Sequence, residues 1–143
     1  MNRKTDLSAY LKETCQEHNL KLTPQRIQIY NELFDDKSHP SADNIYHRVK
    51  RKLPAISFDT VNRTLISFAE IGLLNIIEGN GSPKRYDPGL HNHHHFQCLS
   101  CNKIIDFEDT VLDKIKVPKK IAKENKIINH RLVINGICKD CLK

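Results

Sequence analysis

The chemistry-bearing residues of this chain crowd into its second half. Half of its eight histidines fall between His91 and His95, and a Cys98-x2-Cys101 pair follows at once, with Asp87 before and Asp106 after. A second C-x2-C pair, Cys138 and Cys141, lies 36 intervening residues further on. Four thiolates in two such pairs suit tetrahedral zinc and leave no open coordination position, which makes a structural rather than a catalytic site. Two disulfides or a thioredoxin-like redox motif are the competing readings. The duplicated spacing, without the strand-to-helix setting that a redox motif needs, weighs against both.

The histidine cluster contains no sulfur and calls for a different ion. On an extended segment side chains alternate between faces, so His93 and His95 point one way and His94 the other. Asp87 and Asp106 could approach His93 and His95, and His39 could join from the first half. That gives a nitrogen and oxygen set suited to iron(II) or manganese(II). On the opposite face His94 could meet Asp113 and His130 in a further site. The bland alternative is a solvated histidine-rich loop that binds metal adventitiously. His18 and His47 sit in helical stretches without ligand-like neighbours and read as ordinary residues.

These groups need a scaffold, and the first half reads as four helices and a hairpin. Leu7, Tyr10, Leu11 and Cys15 recur at helical spacing, with Asn19 as a stop; Cys15 falls on the apolar stripe as a small buried hydrophobe. Thr23-Pro24 caps a second helix with Ile27, Tyr30, Leu33 and Phe34 inward, Ser41 caps a third with Ile45, Val49 and Leu53 inward, and Pro54 ends it. Ser57 caps a fourth helix that buries Val61, Leu65, Phe68 and Ala69. Its other face offers Thr60, Asn62, Arg63, Thr64 and Ser67, short polar groups and one guanidinium suited to phosphates and base edges, though a solvated face would look similar. Leu73–Ile77, the turn-rich Glu78–Pro83 and Lys84-Arg85-Tyr86 read as a β-hairpin. Helices followed by a hairpin suggest a winged helix-turn-helix, with Arg26, Ser57, Thr60, Asn62, Arg63, Thr64, Lys84 and Arg85 as candidate DNA contacts.

Beyond Asp87-Pro88-Gly89 the pattern changes to α+β. His95–Cys98 and Ile104–Phe107 read as short strands joined by the cysteine turn, Lys119–Asn125 as a helix after Pro118, and Ile127–Ile134 as a strand closed by a tight turn at Asn135-Gly136. The expected organisation is a winged-helix domain over residues 1–86, a hinge at 87–91 and a metal-binding domain over 92–143.

Composition is compatible with this. The 143 residues are 38% hydrophobic, carry 23 basic and 17 acidic side chains and have a formal net charge of +6, so a folded protein with an anionic partner is expected and disorder is not. Neither a long apolar run nor a secretory leader is visible, which points to a cytoplasmic location and reduced cysteines.

Residues 7 to 142 resemble the ferric uptake regulator family. The resemblance is carried by Leu22-Thr23-Pro24-Gln25-Arg26, His39-Pro40-Ser41-Ala42-Asp43-Asn44-Ile45-Tyr46, Thr60-Val61, the histidines running into Cys98-x2-Cys101, Ile105-Asp106-Phe107, His130-Arg131-Leu132 and Cys138-x2-Cys141. It implies a homodimeric, metal-responsive repressor of palindromic operators, with an N-terminal winged helix and a C-terminal α/β dimerisation domain. It also implies a cysteine zinc site and a regulatory metal site at the hinge. In the family's peroxide-responsive branch the hinge ligands are three histidines and two aspartates, which map onto His39, Asp87, His93, His95 and Asp106. Iron-uptake members tend to have glutamate at the positions of Asp87 and Asp106, and zinc-uptake members often bring in a cysteine. The peroxide branch further implies that His39 and His93 take up oxygen when iron(II) meets hydrogen peroxide. Asn62 departs from the tyrosine usual in the recognition helix. An iron or other metal-uptake regulator is the alternative within the family, and a metal-dependent hydrolase or redox enzyme the alternative outside it.

Overall fold

The computed structural model describes residues 3–34, 36–77, 84–88 and 92–142, with side chains from residue 8 onward. The side chain of Leu7, the expected turn at 78–83 and the hinge residues 89–91 lie outside the described residues. The chain runs α1 (Arg3–Glu17), α2 (Pro24–Leu33), α3 (Ala42–Lys50), α4 (Phe58–Glu70), β1 (Asn75–Ile77), β2 (Arg85–Asp87), β3 (His94–Cys98), β4 (Ile104–Phe107), a 3-10 turn (Leu112–Lys114), α5 (Lys119–Glu124) and β5 (Val133–Gly136). No helix is long and apolar enough to cross a membrane.

Side-chain caps start three of the helices where the sequence places them. Thr23 accepts from the Arg26 amide, Ser41 from Asn44 in a reciprocal capping box, and Ser57 from Thr60. Each cap satisfies one of the donors that a helix start leaves without an internal partner. The helices bury Leu11, Cys15, Ile29, Tyr30, Leu33, Ile45, Val49, Val61, Leu65 and Phe68 in one core, closed by Leu73, Leu74 and Tyr86 of the hairpin. Cys15 is the buried small hydrophobe that its stripe implies, and desolvation pushes its thiol pKa up against a weaker pull from Arg26. One expectation fails in α2: Ile29 is fully buried and Ile27 is 39% exposed. Residues two apart on a helix lie on nearly opposite sides, so only one of the pair can face inward with Tyr30 and Leu33.

β1 and β2 pair antiparallel as the hairpin of a winged helix. In the second half β3 is the centre of a sheet ordered β4-β3-β5, antiparallel to β4 and parallel to β5. The last strand corrects the sequence reading, because Asn135 and Gly136 lie inside it, opposite Gln97 and Cys98, rather than in a turn. A Cβ at Gly136 would come within 2.9 Å of the Phe96 ring, so this glycine provides a close approach of backbone to ring. The parallel pairing sets Gly136 beside Cys98, which delivers Cys138 to the first cysteine pair.

Candidate metal centres

The Cys98-x2-Cys101 turn follows directly from β3, and Cys138 and Cys141 follow β5. All four are free thiols whose sulfurs lie within 4.8 Å of one another. Cys101 Sγ and Cys138 Sγ are 3.8 Å apart, too far for a disulfide. A tetrahedron with metal–sulfur bonds of about 2.3 Å has edges of about 3.8 Å, so the Cys101–Cys138 spacing matches one edge of a tetrathiolate zinc site. The backbone amides of Cys101 and Cys138 donate to Cys98 Sγ and bring its pKa down to about 6. Cys141 moves the other way: despite a hydrogen bond with Ser100 that lowers it, bonding to the Cys138 and Cys101 sulfurs pushes its pKa up to about 12. One thiolate is thus prepared by the fold, and a divalent cation would supply the charge needed to ionise the rest.

The second group is built from four separate elements. His39 stands in the loop before α3, Asp87 ends β2, His95 lies on β3 and Asp106 on the neighbouring β4, and their ligand atoms also fall within 4.8 Å of one another. His95 Nε2 is 2.9 Å from Asp87 Oδ2 and 3.3 Å from Asp106 Oδ1, and His39 Nε2 is 2.9 Å from Asp106 Oδ1. A six-coordinate ion with bonds of about 2.1 Å spaces adjacent donors about 3.0 Å apart, which these separations match. A further sign comes from His39: its Nε2 is buried and close to Asp106, yet no hydrogen bond satisfies it. Burial lowers the His39 pKa, against the opposing pull of Asp106 and Asp87, and so favours the neutral imidazole that a metal requires.

His93 reaches the group through Asp87, whose Oδ2 contacts both its Nε2 and that of His95. The rings of His93 and His95 stand perpendicular, with centroids 4.8 Å apart. Arg131 completes this corner: its Nη1 donates to Asp87 Oδ2 at 3.0 Å and lies 3.0 Å from His93 Nε2. The sequence reading missed Arg131 as a participant. The available signal was a guanidinium next to His130, set between the apolar pairs Ile127-Ile128 and Leu132-Val133.

His94 faces the other way, as strand alternation requires. Its Nε2–H donates to Asp113 Oδ1 at 2.8 Å, while the Leu132 amide donates to its Nδ1 at 3.1 Å. Among the described residues His130 does not close a three-ligand group with this pair; it lines a cavity of about 350 Å³ together with His95, Arg131 and Asn75.

The candidate DNA contacts also divide. Thr60, Asn62 and Arg63 lie along α4, with Arg63 paired to Asp59 at 3.0 Å in an exposed contact of little energetic weight. Ser57 is exposed at the helix start, Lys84 is exposed beside the hairpin, and Arg26 is half-buried with a bond to the Lys21 carbonyl. Two residues stand apart from the exposed set. Thr64 is buried and its hydroxyl donates to the Thr60 carbonyl at 2.7 Å. Arg85 spends its guanidinium on three protein carbonyls instead of projecting from the wing.

Comparisons with known proteins agree with this architecture. The ferric uptake regulator family profile matches residues 17–135. The chain is 36% identical over 122 residues to the peroxide-responsive repressor PerR of Staphylococcus epidermidis, covering 85% of this chain and 81% of that one. It is 33% identical over 128 residues to PerR of Staphylococcus aureus, covering 90% and 86%. Among solved structures, the Helicobacter pylori ferric uptake regulator superposes with a TM-score of 0.75 at 25% identity, over 99% of this chain and 95% of that one. The Campylobacter jejuni peroxide stress regulator gives 0.66 at 25% identity, over 99% and 100%. With a winged helix joined to an α/β unit, and metal-ligand groups within and between the two, the chain belongs to the ferric uptake regulator family of metal-dependent, DNA-binding transcriptional regulators.

Proposed function

We propose that this protein is a dimeric repressor that senses hydrogen peroxide through a regulatory metal held by His39, Asp87, His93, His95 and Asp106. The observation that carries the reading is the sulfur-free convergence of His39, from the helical half, with Asp87, His95 and Asp106. Residues 1–86 form the DNA-binding domain, 87–91 the hinge and 92–143 the dimerisation domain. The tetracysteine group holds structural zinc. Iron(II) or manganese(II) would occupy the second group, and both aspartates match the ligand pattern that the family resemblance implies for its peroxide-responsive branch.

The mechanism follows from where the ligands stand. His39 lies eighteen residues ahead of the Ser57 cap of α4 and moves with the helical half, whereas His93, His95 and Asp106 move with the β3–β4 sheet. His39 and the sheet ligands, holding one ion in common, would fix the helical half, and with it α4, against the sheet. Two copies so fixed present their Thr60, Asn62 and Arg63 faces at one spacing, with Ser57, Lys84 and Arg26 positioned for phosphates. The exposed apolar residues Val133, Ile134 and Ile137 around edge strand β5 supply a surface for the second copy. The cavity beside His95 is large enough to admit peroxide. Iron(II) held there would supply the electrons that cleave the peroxide O–O bond; the family resemblance points to His39 or His93 as the imidazole that would gain one peroxide oxygen, the other leaving as water, and so lose its value as a ligand and release the clamp.

The test is binding to a duplex selected from a random pool by the iron-loaded and manganese-loaded forms, each with and without peroxide. Loss of binding in the iron form alone, with a one-oxygen mass gain on His39 or His93, is the expected result. Retention of binding without that gain would make the protein a metal-uptake regulator. Failure of every form to bind any duplex would return the histidine cluster to enzymatic readings.

A further inference from the structure

Arg85 lies two residues before the ligand Asp87, on the same face of β2, because side chains in a strand alternate. Its guanidinium is divided among three backbone carbonyls. Nε donates to His39 O at 2.7 Å, Nη2 to Ser38 O at 2.6 Å and Nη1 to Asn102 O at 2.8 Å. The first two carbonyls belong to the loop that carries His39. The third belongs to the turn of the first cysteine pair, where the Asn102 amide donates back to Cys98 O at 2.9 Å. The neighbouring backbone adds to the attachment: Tyr86 N–H donates to Pro40 O at 2.9 Å, and Ser41 bridges to Arg85.

Two of the three residues held in this way have backbones that need holding. His39 has φ 55° and Asn102 has φ 61°, in the left-handed region that costs a side-chain-bearing residue free energy unless its surroundings enforce it. For His39 that conformation directs the imidazole toward Asp106 and His95. Arginine suits the role because its donors form a rigid planar fork that reaches several acceptors at once; a lysine ammonium concentrates its donors at one point.

We infer that Arg85 is a positioning residue for the regulatory metal: it holds the His39 loop in ligating geometry and fastens that loop to the zinc-bearing turn. This inference rests on the regulatory-site reading given above. It also separates Arg85 from the residues that meet DNA. If Arg85 acted only as a nearby positive charge, its removal would strengthen cation binding; as a positioning group, its removal weakens it.

The experiment is a manganese(II) titration of the zinc-loaded, full-length protein and its R85A, R85K, H39A and R85A/H39A variants, followed by free-ion electron paramagnetic resonance. R85A and R85K should both bind manganese roughly 10–100-fold more weakly, the range seen when the partners that orient metal ligands are removed. The double variant should be no weaker than H39A, because Arg85 acts through His39. Unchanged or tighter binding by R85A, or additive losses in the double variant, would overturn the inference. An H39A protein that binds like the parent would instead defeat the regulatory-site reading itself. Two readouts separate positioning from general damage. Hydrogen exchange of the Tyr86 amide in the manganese-free R85A protein should quicken while full zinc content is retained, and unchanged exchange counts against the inference. At saturating manganese the salt dependence of duplex binding by R85A should equal that of the parent; a slope smaller by about 1 would make Arg85 a phosphate contact.

Discussion

The two metal-ligand groups differ most in what they join. The four cysteines belong to one structural unit, the β4-β3-β5 sheet and its ends, and the fold brings their sulfurs together by parallel pairing of β3 with β5. The histidine and aspartate group draws on a loop before α3, the end of β2, and both β3 and β4. An ion in the first can only stabilise the unit that contains it. An ion in the second constrains one half of the molecule against the other, which a switch requires. Donor chemistry follows the same division: four thiolates close a tetrahedral site, whereas imidazoles and carboxylates hold a labile, higher-coordinate ion.

The comparison can be broken most forcefully at the cysteines. Structural zinc in small domains contributes apparent binding free energies of about 10–16 kcal/mol, so Cys98→Ser or Cys138→Ser should unfold the sheet and abolish dimerisation. Circular dichroism and sedimentation check this, and a folded dimer with full regulation would place the cysteines outside the structural role. His39→Ala should behave in the opposite manner, retaining zinc, fold and dimer. It should lose metal-dependent DNA binding by a factor of about 5–150, the ordinary range of coupling between sites. Fluorescence anisotropy with and without manganese measures the factor.

A third substitution sharpens the link between sheet and cysteines. Gly136→Ala forces a Cβ against the Phe96 ring and should destabilise the protein by about 1–3 kcal/mol, as overpacking does elsewhere, with a denaturant midpoint to match. The same glycine marks a limit of sequence reading. Asn-Gly is a strong turn signal locally, but here the ring across the sheet decides, and no local pattern reports a contact between Phe96 and Gly136. Arg131 and Arg85 escaped for a related reason. Both look like surface cations in the sequence, and their roles depend on which carbonyls and carboxylates the fold places around them. Thr64 is a different case: it stands three residues after Val61 and four before Phe68, on the face that buries both, so helical phase points inward and only its polarity suggests the other face. By contrast the caps at Thr23, Ser41 and Ser57, the paired cysteines and the opposite facing of His94 from His93 and His95 were legible, since each depends on neighbours within a few residues.

Two smaller effects complete the comparison. Arg63→Ala should lower the salt slope of DNA binding by about 1 without altering metal affinity, because Arg63 is exposed on α4, pairs with Asp59 and belongs to neither ligand group. The pH dependence of the zinc-loaded protein without regulatory metal should carry a contribution from His39. Its folded pKa is depressed, chiefly by burial, so between that value and the ordinary histidine value of about 6.5 the unfolded chain binds more protons. Stability should therefore fall as pH drops below about 6.5, and the decrement should vanish in His39→Ala. Denaturant unfolding at pH 7.5 and 5.5 compares them.

Reciprocity between the two halves offers the most direct test. Manganese(II) affinity of the zinc-loaded dimer is titrated with and without a saturating duplex that the protein binds. A site spanning both halves requires the duplex to tighten manganese binding by the factor with which manganese tightens duplex binding. Equal manganese affinities in the two titrations would mean that the ion does not set the position of the reading helix.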